Sequence, residues 1–281
     1  MKIHKYFGIA ALAAIAVLLP PPPGGVQAAT ATCPTLVAHM GFHYPYWGLP
    51  ENSLGAITAA SVNGKATWVE TDVNMSGGGQ SPVPIIMHGA ALQYFTNLTG
   101  PPQNYTVTQL TAQRLYLVPG TSTTPPSGLT YEHLPTLTAY LARAKTLGEK
   151  VEVEESSSWT AAEFAAYIAV MKAAAASTFT TVSGTSVTGL AAVRKAYPGE
   201  RTHLLVAPFW PLTAAGAGGS SQVDAATGYL TGFQVRAFQA AGVTVDIWTP
   251  DTTAAFTIAL FVHPNQVTTD ALTQFHNISG C

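Results

Sequence analysis

Charge is scarce in this sequence. Asp, Glu, Lys and Arg together make up 9% of its 281 residues, against about 25% in an ordinary globular domain. The formal net charge is −2, so nothing suggests a nucleic-acid or anionic-membrane partner held by a basic surface. Long hydrophobic runs are missing too. The longest, Phe7–Leu19, falls short of the roughly 20 apolar residues that span a bilayer, which speaks against a stable membrane anchor. Cysteine occurs only as Cys33 and Cys281. In an oxidising compartment an isolated pair is more often a disulfide than two thiols, with free or intermolecular cysteines as the alternative. No repeat period is visible. Gly77-Gly78-Gly79 lacks the Lys-Ser/Thr that would open a phosphate loop.

What is present begins with an export pattern. Lys2, His4 and Lys5 precede the apolar run, and Val26-Gln27-Ala28 follows a proline-glycine break. This predicts a secretory signal over residues 1–28 and a secreted, extracellular mature chain, residues 29–281. Its loss removes Lys2 and Lys5 and moves the net charge to −4. About 250 residues is long for one ordinary domain and normal for an α/β barrel.

Strand candidates alternate with helices along that length. The strands are Thr35–Ala38, Thr67–Val73, Val83–Met87, Lys150–Glu154, Phe179–Val182, His203–Ala207, Val243–Trp248 and Gln266–Thr268, with Gln222–Asp224 as an extra candidate. Helices are expected over Ser53–Asn63, Leu137–Leu147, Ala161–Ala175 and Gly232–Ala241. Apolar runs of this kind suit a parallel sheet covered on both faces. The connection from Gly89 to Glu132 is long enough for a lid or binding loop.

The chemistry concentrates between Ala38 and His88. Glu70 and Asp72 are two apart in a strand and point the same way. Two carboxylates on one face repel unless a proton or cation lies between them, and oxygen-only ligands suit a hard divalent ion, Mg²⁺ or Ca²⁺. His39 ends the strand before and His88 the strand after. Both could move protons near neutral pH. His43 follows in an aromatic loop as a lining residue.

The order His39-Met40-Gly41, Pro50-Glu51-Asn52, Glu70-Thr71-Asp72, His88, Phe95-Thr96-Asn97-Leu98-Thr99-Gly100, Leu134-Pro135-Thr136-Leu137, Trp248-Thr249 and Thr268-Thr269-Asp270 resembles the glycerophosphodiester phosphodiesterase family. The resemblance runs through nearly the whole mature chain. It implies a single-domain (β/α)8 TIM barrel, a divalent metal and a small phosphodiester or phospholipid-derived substrate. It also implies His39 and His88 as acid and base, Glu51 near the metal and Asn52 shaping its loop, with helix capping as the alternative for Asn52. A third metal carboxylate is expected from the fourth strand. Either Glu154 fills that place, with Ser156 where the family has lysine, or Glu152 does, with Glu154 at the lysine. Met40 stands where the family has a phosphate-binding arginine, and Gly89 where it has an aspartate. Trp248 matches a pocket position at a strand end. The expected activity is hydrolysis of phosphoric diesters. The missing cations leave two alternatives, a barrel that binds a lipid, sugar or wall component without catalysis, or a sphingomyelinase D-like phospholipase.

Overall fold

A computed structural model describes residues 33–43, 45–120, 132–155, 158–206 and 217–279. The expected signal segment, Ser156 and Cys281 lie outside them. The chain runs β1 (Thr35–Ala38), α1 (Leu54–Val62), β2 (Trp68–Met75), β3 (Pro84–Ile86), α2 (Val107–Thr111), α3 (Leu137–Leu147), β4 (Lys150–Glu154), α4 (Ala161–Ala173) and β5 (Thr180–Gly184). It continues with α5 (Val187–Ala196), β6 (Arg201–Val206), β7 (Gln222–Ala226), α6 (Gly232–Ala240), β8 (Thr244–Trp248), α7 (Thr253–Phe261), β9 (Gln266–Thr269) and α8 (Leu272–Ser279). Eight strands are parallel in the order β1-β2-β4-β5-β6-β7-β8-β9, and β9 pairs back onto β1. The sheet is a closed (β/α)8 barrel.

Two strand expectations change. Val83–Met87 was expected as a barrel strand, but β3 pairs antiparallel with the far end of β2, Val73 opposite Ile86. The glycine turn causes this: Gly78 and Gly79 have φ +58° and +76°, a region open to glycine at little cost, and the chain folds back on itself. The extra candidate at Gln222 takes the vacated place as β7. An apolar run carries no information about direction, so the antiparallel return could not be read from it.

The strands also alternate in character. Val69, Val151, Val153, Val182, Leu204, Val223, Val245 and Val267 are fully buried in the core. Their strand neighbours Glu70, Glu152, Thr181, His203, Gln222, Asp224, Asp246, Gln266 and Thr268 are buried and polar. The parallel register sets Glu70 beside Glu152, His203 beside Gln222 and Asp224 beside Asp246. Alternation therefore puts the apolar set under the helices and a polar set inside the barrel. At the N-terminal end, Lys150 and Arg201 lie over the Trp68 ring, 5.3 and 5.6 Å from its centroid.

Serine or threonine opens each helix from α1 to α7. Ser53, Thr106, Thr136, Thr160, Ser186, Thr231 and Thr252 each accept the backbone N–H three residues on, worth about 1 kcal/mol apiece. In the helices that follow barrel strands, these caps stiffen the strand-to-helix turns at the end where the site is built. The long connection after β3 is not a bare loop. Ile85, Met87, Leu92, Phe95, Leu110, Leu115 and Leu134 form a separate small core there.

Candidate active site

Glu70 and Asp72 on β2 and Glu154 at the end of β4 meet at the C-terminal mouth. Each offers an oxygen within 4.8 Å of the others, because Asp72 and Glu154 are register partners on adjacent strands. Glu152, the rival for the third place, is two residues below and faces His203 and Asp224 instead. Burial, with the charges of Asp72 and Glu154 behind it, pushes the Glu70 carboxyl well up. Burial and Asp72 raise Glu154 to about 7. Glu70 Oε1 is buried with no hydrogen-bond partner. Three crowded carboxylates with an orphaned oxygen match the donor set of a hard dication.

The loop after β1 is fastened to this cluster. Met40 N donates to Glu70 Oε2 at 3.1 Å, and Asn52 N donates to Met40 O at 2.9 Å. Asn52 is not the helix cap, which is Ser53. Its Nδ2 donates to Asp72 Oδ2 at 3.0 Å, while its Oδ1 accepts from Thr71 Oγ1 at 2.6 Å. The amide thus aims one carboxylate, and φ +56° at Asn52 suits a residue that tolerates the left-handed region. Met40 is buried, 6% exposed, and lies beside the metal-type cluster through its backbone.

Gly41 explains the glycine of the first motif. Its φ is +85°, and a Cβ there would stand 2.7 Å from Ala56 Cβ, where α1 packs under the loop. Gly41→Ala should cost about 2–4 kcal/mol through strain and overpacking, read as a lowered denaturant midpoint, and should displace His39.

His39 follows β1 directly. Its Nδ1 donates to Asp270 Oδ1 at 2.7 Å, and its Nε2 faces Glu70 Oε2 at 3.8 Å. Burial pushes the imidazolium down, but the bond to Asp270 and that residue's charge outweigh it and hold His39 above its ordinary value. Burial pushes Asp270 up, and the hydrogen bonds from His39 and from His43, 3.2 Å away, more than reverse it. Asp270 is in turn fixed by Asp251, whose Oδ1 accepts its N–H at 2.9 Å. Asp270 was visible only as part of a motif, since nothing in the sequence pairs it with a histidine 231 positions away.

His88 reaches the mouth from above. The antiparallel return of β3 lets Met87 N donate to Asp72 O at 3.0 Å, and the exposed His88 then sits 3.7 Å from Glu51 Oε1. That carboxylate, against the opposing effect of burial, raises His88 to about 9. The Phe95 motif supplies a ring 6.5 Å from His88. In the Leu134-Pro135-Thr136 motif, Pro135 O accepts from Ile86 N and Thr136 caps α3. Trp248 ends β8, half-buried, its indole N–H without a partner.

A cleft of about 370 Å³ opens here, lined by Asp72, Asn74, His88, Glu154, Glu155 and Trp159 among others, with no lysine or arginine among its described residues. The parallel barrel thus carries three carboxylates and two histidines at its C-terminal mouth, the end at which barrel active sites are built. The chain belongs to the glycerophosphoryl diester phosphodiesterase family, whose sequence pattern matches residues 39–273. It is similar to an Oleispira antarctica phosphodiesterase solved with the product sn-glycerol-3-phosphate, at 18% identity over 88% of this chain and 97% of that one, TM-score 0.73. It is similar also to a glycerophosphodiester phosphodiesterase from Parabacteroides distasonis, at 20% identity over 87% and 95%, TM-score 0.70. At such identities the structural likeness carries the fold. No match was found among curated protein sequences.

Proposed function

We propose that the protein is a secreted, metal-dependent hydrolase of glycerophosphodiesters or related phospholipid-derived diesters. The observation that carries this is the joining of Glu70, Asp72 and Glu154 within 4.8 Å at a mouth flanked by His39 and His88. Those carboxylates would hold Mg²⁺ or Ca²⁺, which when bound supplies charge stabilisation to a phosphoryl oxygen.

The chain's own groups divide the proton work. Asp270 pins the Nδ1–H of His39 and so leaves Nε2 to accept the proton of the attacking hydroxyl as its oxygen bonds to phosphorus. As the bond from phosphorus to the leaving alkoxide breaks, that oxygen takes a proton from His88. His88 suits this role, since Glu51 keeps it an imidazolium at neutral pH. Asn52 orients Asp72. With Met40 buried and no lysine or arginine in the described cleft, the His88 imidazolium and the cation must balance the phosphate, so low turnover and a weakly held substrate are expected. The test is a hydrolysis panel of glycerophosphodiesters, lysophospholipids, sphingomyelin and bis(p-nitrophenyl) phosphate with and without divalent metal. Inertness on every diester would turn the reading toward a ligand-binding barrel.

The raised carboxyl of Glu154 sets a pH signature. Its folded value of about 7 lies above the ordinary 4.5, so without metal the folded state holds more protons than the unfolded one between those values. Stability of the metal-free protein should therefore fall as pH rises through that window, by at most about 1.4 kcal/mol per pH unit for one proton. Metal affinity has the opposite sense and should weaken as pH falls below about 7, because a proton competes for the ligand. Melting curves and calorimetric metal titrations at stepped pH read both.

Export and the cysteine pair belong to the same proposal. The pattern of Lys2, Lys5, the apolar run and Val26-Gln27-Ala28 supports cleavage after Ala28. A Cys33–Cys281 disulfide closing the exported chain would contribute up to about 4–5 kcal/mol on a chain-entropy basis. N-terminal sequencing of the exported protein, and its mass after alkylation with and without reduction, checks both. Two thiols alkylated without reduction would rule the disulfide out.

A further inference from the structure

Below the mouth, the barrel interior contains a second group of ionisable side chains that the proton chemistry above does not use. Glu152 on β4, His203 on β6 and Asp224 on β7 each offer a ligand atom within 4.8 Å of the others. They are 3%, 3% and 1% exposed. His203 Nδ1 lies 2.9 Å from Glu152 Oε2 and 3.8 Å from Asp224 Oδ2. Thr181 Oγ1 is 3.5 Å from the same nitrogen.

An ion pair between His203 and Glu152 leaves the group unbalanced. Asp224 Oδ1 accepts from Gln222 Nε2 at 2.7 Å, but no N–H or O–H donor reaches its Oδ2, and the carboxyl stands close enough to Glu152 for the two to share a proton. Asp246, the register neighbour of Asp224 on β8 and 1% exposed, repeats the pattern. Its Oδ2 accepts from Thr268 Oγ1 at 2.7 Å, and its Oδ1 has no partner. Three carboxylates and one imidazole in a closed interior thus leave two buried oxygens without a donor. Unpaired buried charge is among the most costly features a fold can hold, so something positive must sit among them. Protons on Asp224 and Asp246 are one answer, and a dication is the other.

We propose that Glu152, His203 and Asp224, with Asp246 beside them, form a second site for a divalent transition metal inside the barrel. A mixed imidazole and carboxylate set favours Zn²⁺, Co²⁺ or Mn²⁺ over the oxygen-preferring ions suited to the mouth. Binding requires the neutral imidazole and ionised carboxylates, so each metal taken up displaces whatever protons they carry. The metal would tie β4, β6 and β7 together two residues below Glu154 on β4. At the N-terminal end a cavity of about 410 Å³, lined by His203, Gln222, Gln266, Trp68 and Arg201, reaches the histidine of the set and would be the side from which an ion enters. The site is separate from the mouth cluster and does not depend on the protein's activity.

Co²⁺ is the probe, because its visible absorption reports an imidazole-containing site and its content can be counted. Chelator-stripped full-length mature protein is dialysed against Co²⁺ with Mg²⁺ in large excess. The wild type should retain one equivalent with visible bands, and the Glu70→Ala/Asp72→Ala protein should retain the same. Asp224→Asn and His203→Gln should each lose that equivalent. If the wild type and the mouth variant retain no Co²⁺ under excess Mg²⁺, the cluster is neutralised by protons and the proposal falls. It falls equally if a folded Asp224→Asn protein binds Co²⁺ as well as its parent. Should neither core variant fold, retention by a mouth variant that also carries His39→Ala, His43→Ala and His88→Ala decides, since every core residue is intact there and the imidazoles of the mouth are gone.

Discussion

Replacing Glu70 and Asp72 together by alanine should abolish diester hydrolysis and the metal-induced rise in melting temperature, while leaving the barrel folded. A metal supplies several kcal/mol of charge stabilisation, so a rate loss on the order of 10³-fold or more is expected. The stability result should differ in sign between conditions. Without metal, the wild type holds Glu70, Asp72 and Glu154 within 4.8 Å with no cation between them. Removing two of the three relieves that repulsion, and the metal-free variant should melt no lower than the metal-free wild type. With Mg²⁺ or Ca²⁺ added, only the wild type should gain. Asn52 and the Met40 N–H both lose their carboxylate partners in the variant, yet Thr71 still holds Asn52 Oδ1, so the loop after β1 keeps that anchor. A full metal shift in the double variant would place the cation elsewhere, and undiminished hydrolysis would remove the mouth from the chemistry altogether.

The sequence reveals this site unevenly, and the reasons are physical. Glu70 and Asp72 are legible because strand alternation is local: two residues apart means one face. Glu154 is legible only against a motif, and its choice over Glu152 depends on how far β4 runs before it ends, a matter of register with β2. His88 is legible as a site residue from its place in the motif order, but its route to the mouth is not, because that depends on the antiparallel turn at Gly78 and Gly79. Residues whose importance comes from neighbours on distant strands are the least legible. His203, Asp224 and Asp246 look like isolated polar positions along β6, β7 and β8. Only closure of the barrel gathers them around Glu152. The barrel itself was legible from the βα alternation and the motifs together, even though one of its eight strands was assigned to the wrong segment. The polar interior is what blurred that assignment. Gln222-Val223-Asp224-Ala225-Ala226 does not resemble the apolar run expected of a barrel strand, whereas Val83–Met87 does.

His39→Ala should lower kcat by about 10²–10⁴-fold, the range for loss of a general acid–base, with a smaller change in KM. The more informative substitution is Asp270→Asn, since it leaves the imidazole in place and removes the charge behind it. Asp270 accepts the Nδ1–H of His39 at 2.7 Å, and its charge is what keeps His39 above its ordinary value despite burial. With asparagine at 270, only the charges of Asp72 and Glu51 still oppose burial, and the imidazolium is destabilised. His39 then loses its proton at lower pH. If it works as the base, the acid limb of the kcat/KM profile should move toward lower pH, even as the plateau falls because the ring is no longer held in one tautomer. His43 shares the same carboxylate oxygen at 3.2 Å, so His43→Ala is the control. It should leave that limb in place if His39 is the titrating group. A purely structural role for Asp270 would lower the plateau without moving the limb, and that outcome would remove His39 from its role as base.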